Sequence, residues 1–209
     1  KILYGIYVAL TLLQIVLLLA GGMPLFDAVT TAFGTAGTGG FAVKNDSMAG
    51  YSFYLQTVVT VFMAVFGINF NIFYLLLIRE FAKAFFNEEL RVYLGIMLGS
   101  IALVTVNISH LYPSVREALH HAAFQVSSIM TTTGFATADF NLWPEFSRSL
   151  LVLLMVLGAC AGSTGGGIKT ARLIILFKSV RNEVWKMLHP RSVKLARMDG
   201  SILDEGTLY

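Results

Sequence analysis

Ile129-Met-Thr-Thr-Thr-Gly-Phe-Ala-Thr137 is the stretch on which the reading of this chain turns, and Phe33-Gly-Thr-Ala-Gly-Thr-Gly-Gly-Phe41 is its echo. A shift of 94 residues lays Gly40-Phe-Ala42 on Gly134-Phe-Ala136. With the same shift and no gap, Ala28 falls on Ala122 and Val58 on Val152. The apolar run Phe53–Phe66 falls on Ser147–Cys160. Apolar segments always align tolerably, so the Thr/Gly-Gly-Phe register carries most of the argument for an internal duplication.

Working outward from the two tracts, each is preceded by a short apolar segment rich in Ala, Thr and Ser, Phe26–Gly37 and Glu117–Met130. About a dozen residues is too short to cross a bilayer and suits a re-entrant segment. Four longer runs, Ile2–Gly22, Phe53–Ile78, Val92–Leu111 and Ser149–Phe177, reach the ~20 helical residues that a hydrocarbon core requires. The order is helix, half-helix, Gly-containing loop, helix, occurring twice. The fold class implied is an all-α integral membrane protein of two repeated helix–pore loop–helix units. Residues 1–91 form the first unit and 92–189 the second, with 190–209 a polar cytosolic connector.

Composition agrees. Of 209 residues, 56% are apolar and 13% charged, against roughly 25% charged in a soluble domain. The mean hydropathy of +0.72 leaves too little polar surface for a water-soluble globule of this size. The lone Cys160 excludes a disulfide framework, and no cleavable targeting segment is evident in residues 2–22. A formal charge of +3, unevenly placed, does not suit nucleic acid. Its distribution is more telling. The face from which the half-helices would dip carries only Lys44, Arg116 and Arg148. The other carries Lys1, Arg79, Lys83, Arg91 and the eight bases from Lys169 to Arg197. Three against twelve places the half-helices on the outside of a multi-pass plasma-membrane protein. Asp27, Asp46, Glu117, Asp139 and Glu145 make that outer face mildly acidic, which raises local cation concentration.

Non-helical backbone at membrane depth is tolerated only where protein buries it or it lines water. Glycine permits the left-handed backbone that turns successive carbonyls toward one axis, and Thr adds a hydroxyl oxygen. A ring of such oxygens can replace the hydration shell of K⁺, while the half-helix in front aims its negative end at the ion path. The tracts hold no nucleophile paired with a base, so hydrolytic catalysis fits poorly. His110 and His120-His121 have no Cys or carboxylate at ligand spacing and read as outer-interface residues.

These phrases, together with Ala161-Gly-Ser-Thr-Gly-Gly-Gly-Ile-Lys-Thr170, resemble the Trk/Ktr/HKT superfamily of potassium transporters over residues 1 to about 190. The resemblance implies a potassium-channel-like pore of four units, of which this chain would supply the second and third. By position, Gly40 and Gly134 match the filter glycines, and Thr38, Gly39, Thr132 and Thr133 precede them as oxygen donors. K⁺ would be bound at these residues only and is the transported ion; no cofactor is implied. The partners implied are the remaining pore units, a second copy in a homodimer, the bilayer, and a nucleotide-binding regulatory subunit on the basic inner face. Gly39 stands where the other unit has Thr133, one hydroxyl fewer. A Na⁺-permeable or Na⁺/K⁺-coupled protein of the same fold therefore stays open beside K⁺ uptake.

Gly162-Ser-Thr-Gly-Gly-Gly167, followed by Lys169, has three readings. It nearly fits the phosphate-binding G-x-x-x-x-G-K-[ST] pattern, which would suit a nucleotide-dependent membrane enzyme or pump subunit, but Ile168 spoils the spacing. It can be a helix break for close packing. The resemblance implies a gate: a flexible plug beneath the filter, comprising Gly162, Ser163, Thr164, Gly165, Gly166, Gly167 and Lys169. An ammonium there would repel K⁺ by ~4 kcal/mol at 4 Å with an effective dielectric of 20. Asn69, which aligns with Ser163, and Asn71 are candidates for lining the cavity or for interhelical hydrogen bonds.

Overall fold

The computed structural model describes residues 1–189, 197–198 and 201–202. The connector expected over 190–209 otherwise lies outside the described residues. There, Arg197–Met198 pairs antiparallel with Ser201–Ile202. Apart from that ladder and one isolated bridge, the regular secondary structure among the described residues is helical.

Helix α1 (Ile2–Ala20) is followed by the short α2 (Leu25–Ala36), and α6 (Glu88–Ile108) by the short α7 (Val115–Met130). Ser114 starts α7 by accepting from Glu117 N at 3.2 Å, and Asn87 starts α6 by accepting from Leu90 N at 2.9 Å. Packing repeats with the order: α1 lies on α2 and α6 on α7. The short helices in turn lie on α3 (Phe53–Phe66) and α8 (Glu145–Val156). Among the described residues two helices, α1 and the one beginning at Glu88, are each long and apolar enough to cross a membrane.

The other two expected spans are not continuous. Phe53–Ile78 is two helices, α3 and α4 (Phe70–Leu77), bent by 91°. Gly67 ends the first helix, and the Asn69 carboxamide starts the second by accepting from Asn71 N at 2.9 Å. A C-terminal Gly and an N-capping Asn two residues apart are stop and start signals that a hydropathy run overrides on paper. After α5 (Phe81–Phe85) come α6 and α7. Ser149–Phe177 then falls into α8, a non-helical stretch over 157–169, and α9 (Thr170–Leu188). That stretch is wider than the Gly-rich phrase alone. Its neck is closed by Gly158 N donating to Ile168 O at 2.8 Å and Ile168 N to Val156 O at 3.2 Å. The chain makes a closed excursion rather than a slack gap in one helix.

Two buried clusters hold the units together. One gathers Leu18, Met63, Phe66 and Phe70, and also takes in Phe124 and Phe135 from the second unit. The other gathers Tyr93, Met97, Val104, Met130 and Leu151. Because Phe124 and Phe135 are completed by first-unit side chains, neither unit buries its own core alone. Burying a side chain of this size is worth ~2–3 kcal/mol.

Candidate functional site

The two short helices end on tracts whose backbone repeats bond for bond. In the first unit Gly37 N donates to Phe33 O (2.9 Å), Thr38 N to Thr35 O (3.3 Å) and Gly39 N to Gly34 O (2.8 Å). In the second, Thr131 N donates to Ser127 O (3.0 Å), Thr132 N to Ile129 O (3.0 Å) and Thr133 N to Ser128 O (2.9 Å). Three successive N–H groups of each tract are thus spent on the last turn of its own helix. Left-handed backbone falls at matching positions: Thr38 (φ 52°) with Thr132 (58°), and Gly40 (64°) with Gly134 (94°).

The tracts meet face to face. A Cβ built on Gly134 would find Gly40 Cα as its near neighbour at 3.9 Å, and one built on Gly40 would strike the Thr133 carbonyl. Beyond the tracts, the loops are stitched across the repeat. Met48 N donates to Ala136 O at 2.9 Å, Ala136 N to Ser47 Oγ at 3.1 Å, and His120 pairs through Nε2 with Gln56 Oε1 at 2.7 Å. At the rim Tyr51 donates to Asp27 Oδ2 at 2.7 Å. Burial, and then that bond and the Asp27 charge, push the Tyr51 phenol well above its ordinary range.

The Gly-rich loop lies against both tracts. Thr38 Oγ1 is 3.2 Å from Thr164 O, and its repeat counterpart Thr132 Oγ1 accepts from Gly166 N at 2.6 Å. Thr164 Oγ1 donates to Phe66 O at 3.3 Å, and Lys169 Nζ turns back onto Gly165 O. The ammonium therefore braces its own loop. The break between α3 and α4 faces the loop as well, with Cys160 N on Gly67 O (3.0 Å) and Phe70 N on Gly162 O (3.2 Å).

Of the residues singled out in the sequence, Thr38, Gly39, Gly40, Thr132, Thr133, Gly134, the loop 162–167, Lys169 and Asn69 come together. Asn71 does not: it is exposed on α4. The Thr133 hydroxyl is buried at 2.8 Å from Thr131 Oγ1, so its carbonyl is the oxygen presented toward Gly40. Sequence reasoning missed Glu89. This carboxylate is 3% exposed. Its Oε1 accepts from Ala161 N at 2.5 Å and Ala171 N at 3.1 Å, and Oε2 lies 3.5 Å from Asn69 Nδ2. The available signal was an acid next to the start of a membrane helix, which needs a partner to be tolerated.

Duplicated short helices that stop inside the fold, each ending in a left-handed Thr/Gly tract that meets the other, fit the class of membrane transport proteins. The family model described as cation transport protein, TrkH, matches residues 1–209. The chain belongs to the TrkH cation transport protein family. It is 35% identical over its whole length to the Trk system potassium uptake protein TrkH of Salmonella typhimurium strain LT2, and spans 44% of that relative. Against Trk system potassium uptake protein TrkG of Escherichia coli K12 the identity is 34%, over 88% of this chain and 39% of the relative. The crystal structure of the potassium transporter TrkH from Vibrio parahaemolyticus superposes with a TM-score of 0.90 at 32% identity, over all of this chain and 46% of that one. The chain thus spans under half the length of the relatives it matches. A transport family rather than an enzyme is what the chain matches, and its Gly-rich loop follows no strand and turns its lysine inward. The nucleotide-enzyme reading is set aside.

Proposed function

We propose that this chain forms the second and third of four pore units in a plasma-membrane K⁺ uptake protein. The single observation that carries the reading is the meeting of Thr38–Gly40 and Thr132–Gly134 with the same backbone conformation at matched positions. A filter needs several such carbonyl sets around one axis. Two of them already converge, and the exposed apolar faces of this chain, with Phe41 87% exposed, are where the other units would close the ring. The Gly162–Gly167 loop, hydrogen-bonded to both filter threonines, is the gate. A second copy and a cytosolic nucleotide-binding subunit are the partners that the family resemblance supports.

In the full-length protein, Gly134→Ser reduces K⁺ uptake or admits more Na⁺ while membrane insertion is unchanged, as read from reversal potentials under K⁺/Na⁺ exchange and the amount of inserted protein. Unchanged uptake and selectivity would remove Gly134 from the filter. Gly39 standing where the second unit has Thr133 raises a second reading, a Na⁺-permeable or Na⁺/K⁺-coupled protein, which the burial of the Thr133 hydroxyl against Thr131 weakens. A wild-type reversal potential that follows Na⁺ as closely as K⁺ would decide for it.

A further inference from the structure

The gate reading leaves one group without a task. Glu89 is a buried carboxylate in the first turn of α6, and its hydrogen-bond partners Ala161, Ala171 and Asn69 belong to neither filter tract. A buried carboxylate is costly unless its oxygens are hydrogen-bonded, and here one oxygen takes two backbone N–H groups. Those N–H groups flank the gate. Ala161 stands immediately before Gly162, and Ala171 lies in the first turn of α9, just past Lys169. The Ala171 N–H is among the orphan donors of a helix start, where the helix dipole also favours an anion. The third neighbour, Asn69, starts the second half of the broken α3–α4 span, whose Phe70 N also holds Gly162 O. One side chain therefore joins the outgoing end of the loop, its returning end and the helix break that faces it.

We infer that Glu89 is a positioning residue for the gate: it clamps the two ends of the Gly162–Gly167 loop so that the loop tip reaches Thr38 and Thr132. This rests on the loop being a gate. Gly162 and Gly167, both left-handed at φ 70° and 71°, lie between the two clamped positions, Gly162 next to Ala161 and Gly167 next to the neck residue Ile168. With the base drawn together, the tip is held to its hydrogen bonds with the filter threonines. With the clamp weakened, the loop beyond the backbone-closed Gly158–Ile168 neck slackens and the tip leaves the path.

The test is a double-mutant cycle on the full-length transporter in proteoliposomes, with ⁸⁶Rb⁺ flux expressed per folded molecule after size-exclusion chromatography. Glu89→Gln keeps the shape and an acceptor oxygen but loses the charge that roughly doubles the strength of such bonds. Flux should rise on the order of tenfold. The second arm deletes three residues between Ser163 and Gly166, which alone should raise flux. In that background Glu89→Gln should add nothing, because a clamp has no effect on a tip that no longer reaches. A group that merely supports the fold would lower the yield of folded protein and leave flux per folded molecule unchanged in both backgrounds. If the deletion raises flux but Glu89→Gln leaves it unchanged, lowers it, or multiplies it equally with and without the full loop, the clamp is wrong and the gate stands. A deletion that does not raise flux overturns the gate reading and the clamp with it.

Discussion

Thr38 and Thr132 hold left-handed backbone that costs a residue with a Cβ roughly 1–2 kcal/mol. That cost is borne twice, at equivalent positions, which marks the tracts as shaped for something other than stability. The glycines two residues on are not equivalent in their surroundings. At Gly40 a Cβ would strike the Thr133 carbonyl, whereas at Gly134 its nearest neighbour is 3.9 Å away. Gly40→Ala must therefore push one tract off the other, while Gly134→Ala meets only its own backbone preference. K⁺ uptake by the full-length protein should fall further in Gly40→Ala than in Gly134→Ala, at equal amounts in the membrane. Equal loss, or the reverse order, would mean that the close approach of the two tracts does not matter to conduction.

Among the elements, the break between α3 and α4 is the one whose chemistry the helix run conceals. Asn69 does two jobs there: its oxygen caps α4, and its amide nitrogen faces the Glu89 carboxylate. Asn69→Ser keeps a capping oxygen and loses only the amide, which should cost about 1 kcal/mol. Asn69→Asp also keeps a capping oxygen but sets a second carboxylate against Glu89 in a low-dielectric site. That should cost several-fold more, ~4 kcal/mol at an effective dielectric of 20. Thermal unfolding of the detergent-purified protein checks the order. A Tm for Asn69→Asp at or above that of Asn69→Ser would show that Glu89 is not charged or not near.

For the whole molecule, the arrangement of bases predicts that Lys83 is cytosolic and Lys44 external. Cysteines at these positions, in a Cys160→Ala background, can be tested in intact cells with a membrane-impermeant thiol reagent. Position 44 should label from outside and position 83 only after the membrane is opened. Labelling of 83 from outside would invert the protein and remove the outer vestibule from the mechanism. The same whole-molecule view explains why the two units belong together: Phe135 is buried among first-unit side chains, whereas its counterpart Phe41 stands exposed.

The sequence by itself determined the membrane class, the duplication, the two short helices to within two residues at each end, and the positions of the Thr/Gly tracts. These follow from local rules: run length against bilayer thickness, and a side-chain pattern repeated at one fixed shift. The helix break at Gly67–Asn69 was written locally too, but in capping residues that a long apolar run outweighs. Only the tertiary structure decided that the tracts meet, that the loop touches Thr38 and Thr132, that Lys169 folds back on its own loop, and that Glu89 joins Ala161 to Ala171. Each of these is a contact between residues tens of positions apart or a choice of side-chain direction. Both are set by how α7 packs on α3 and α6, α2 on α3, and α9 on α6, which no local pattern records.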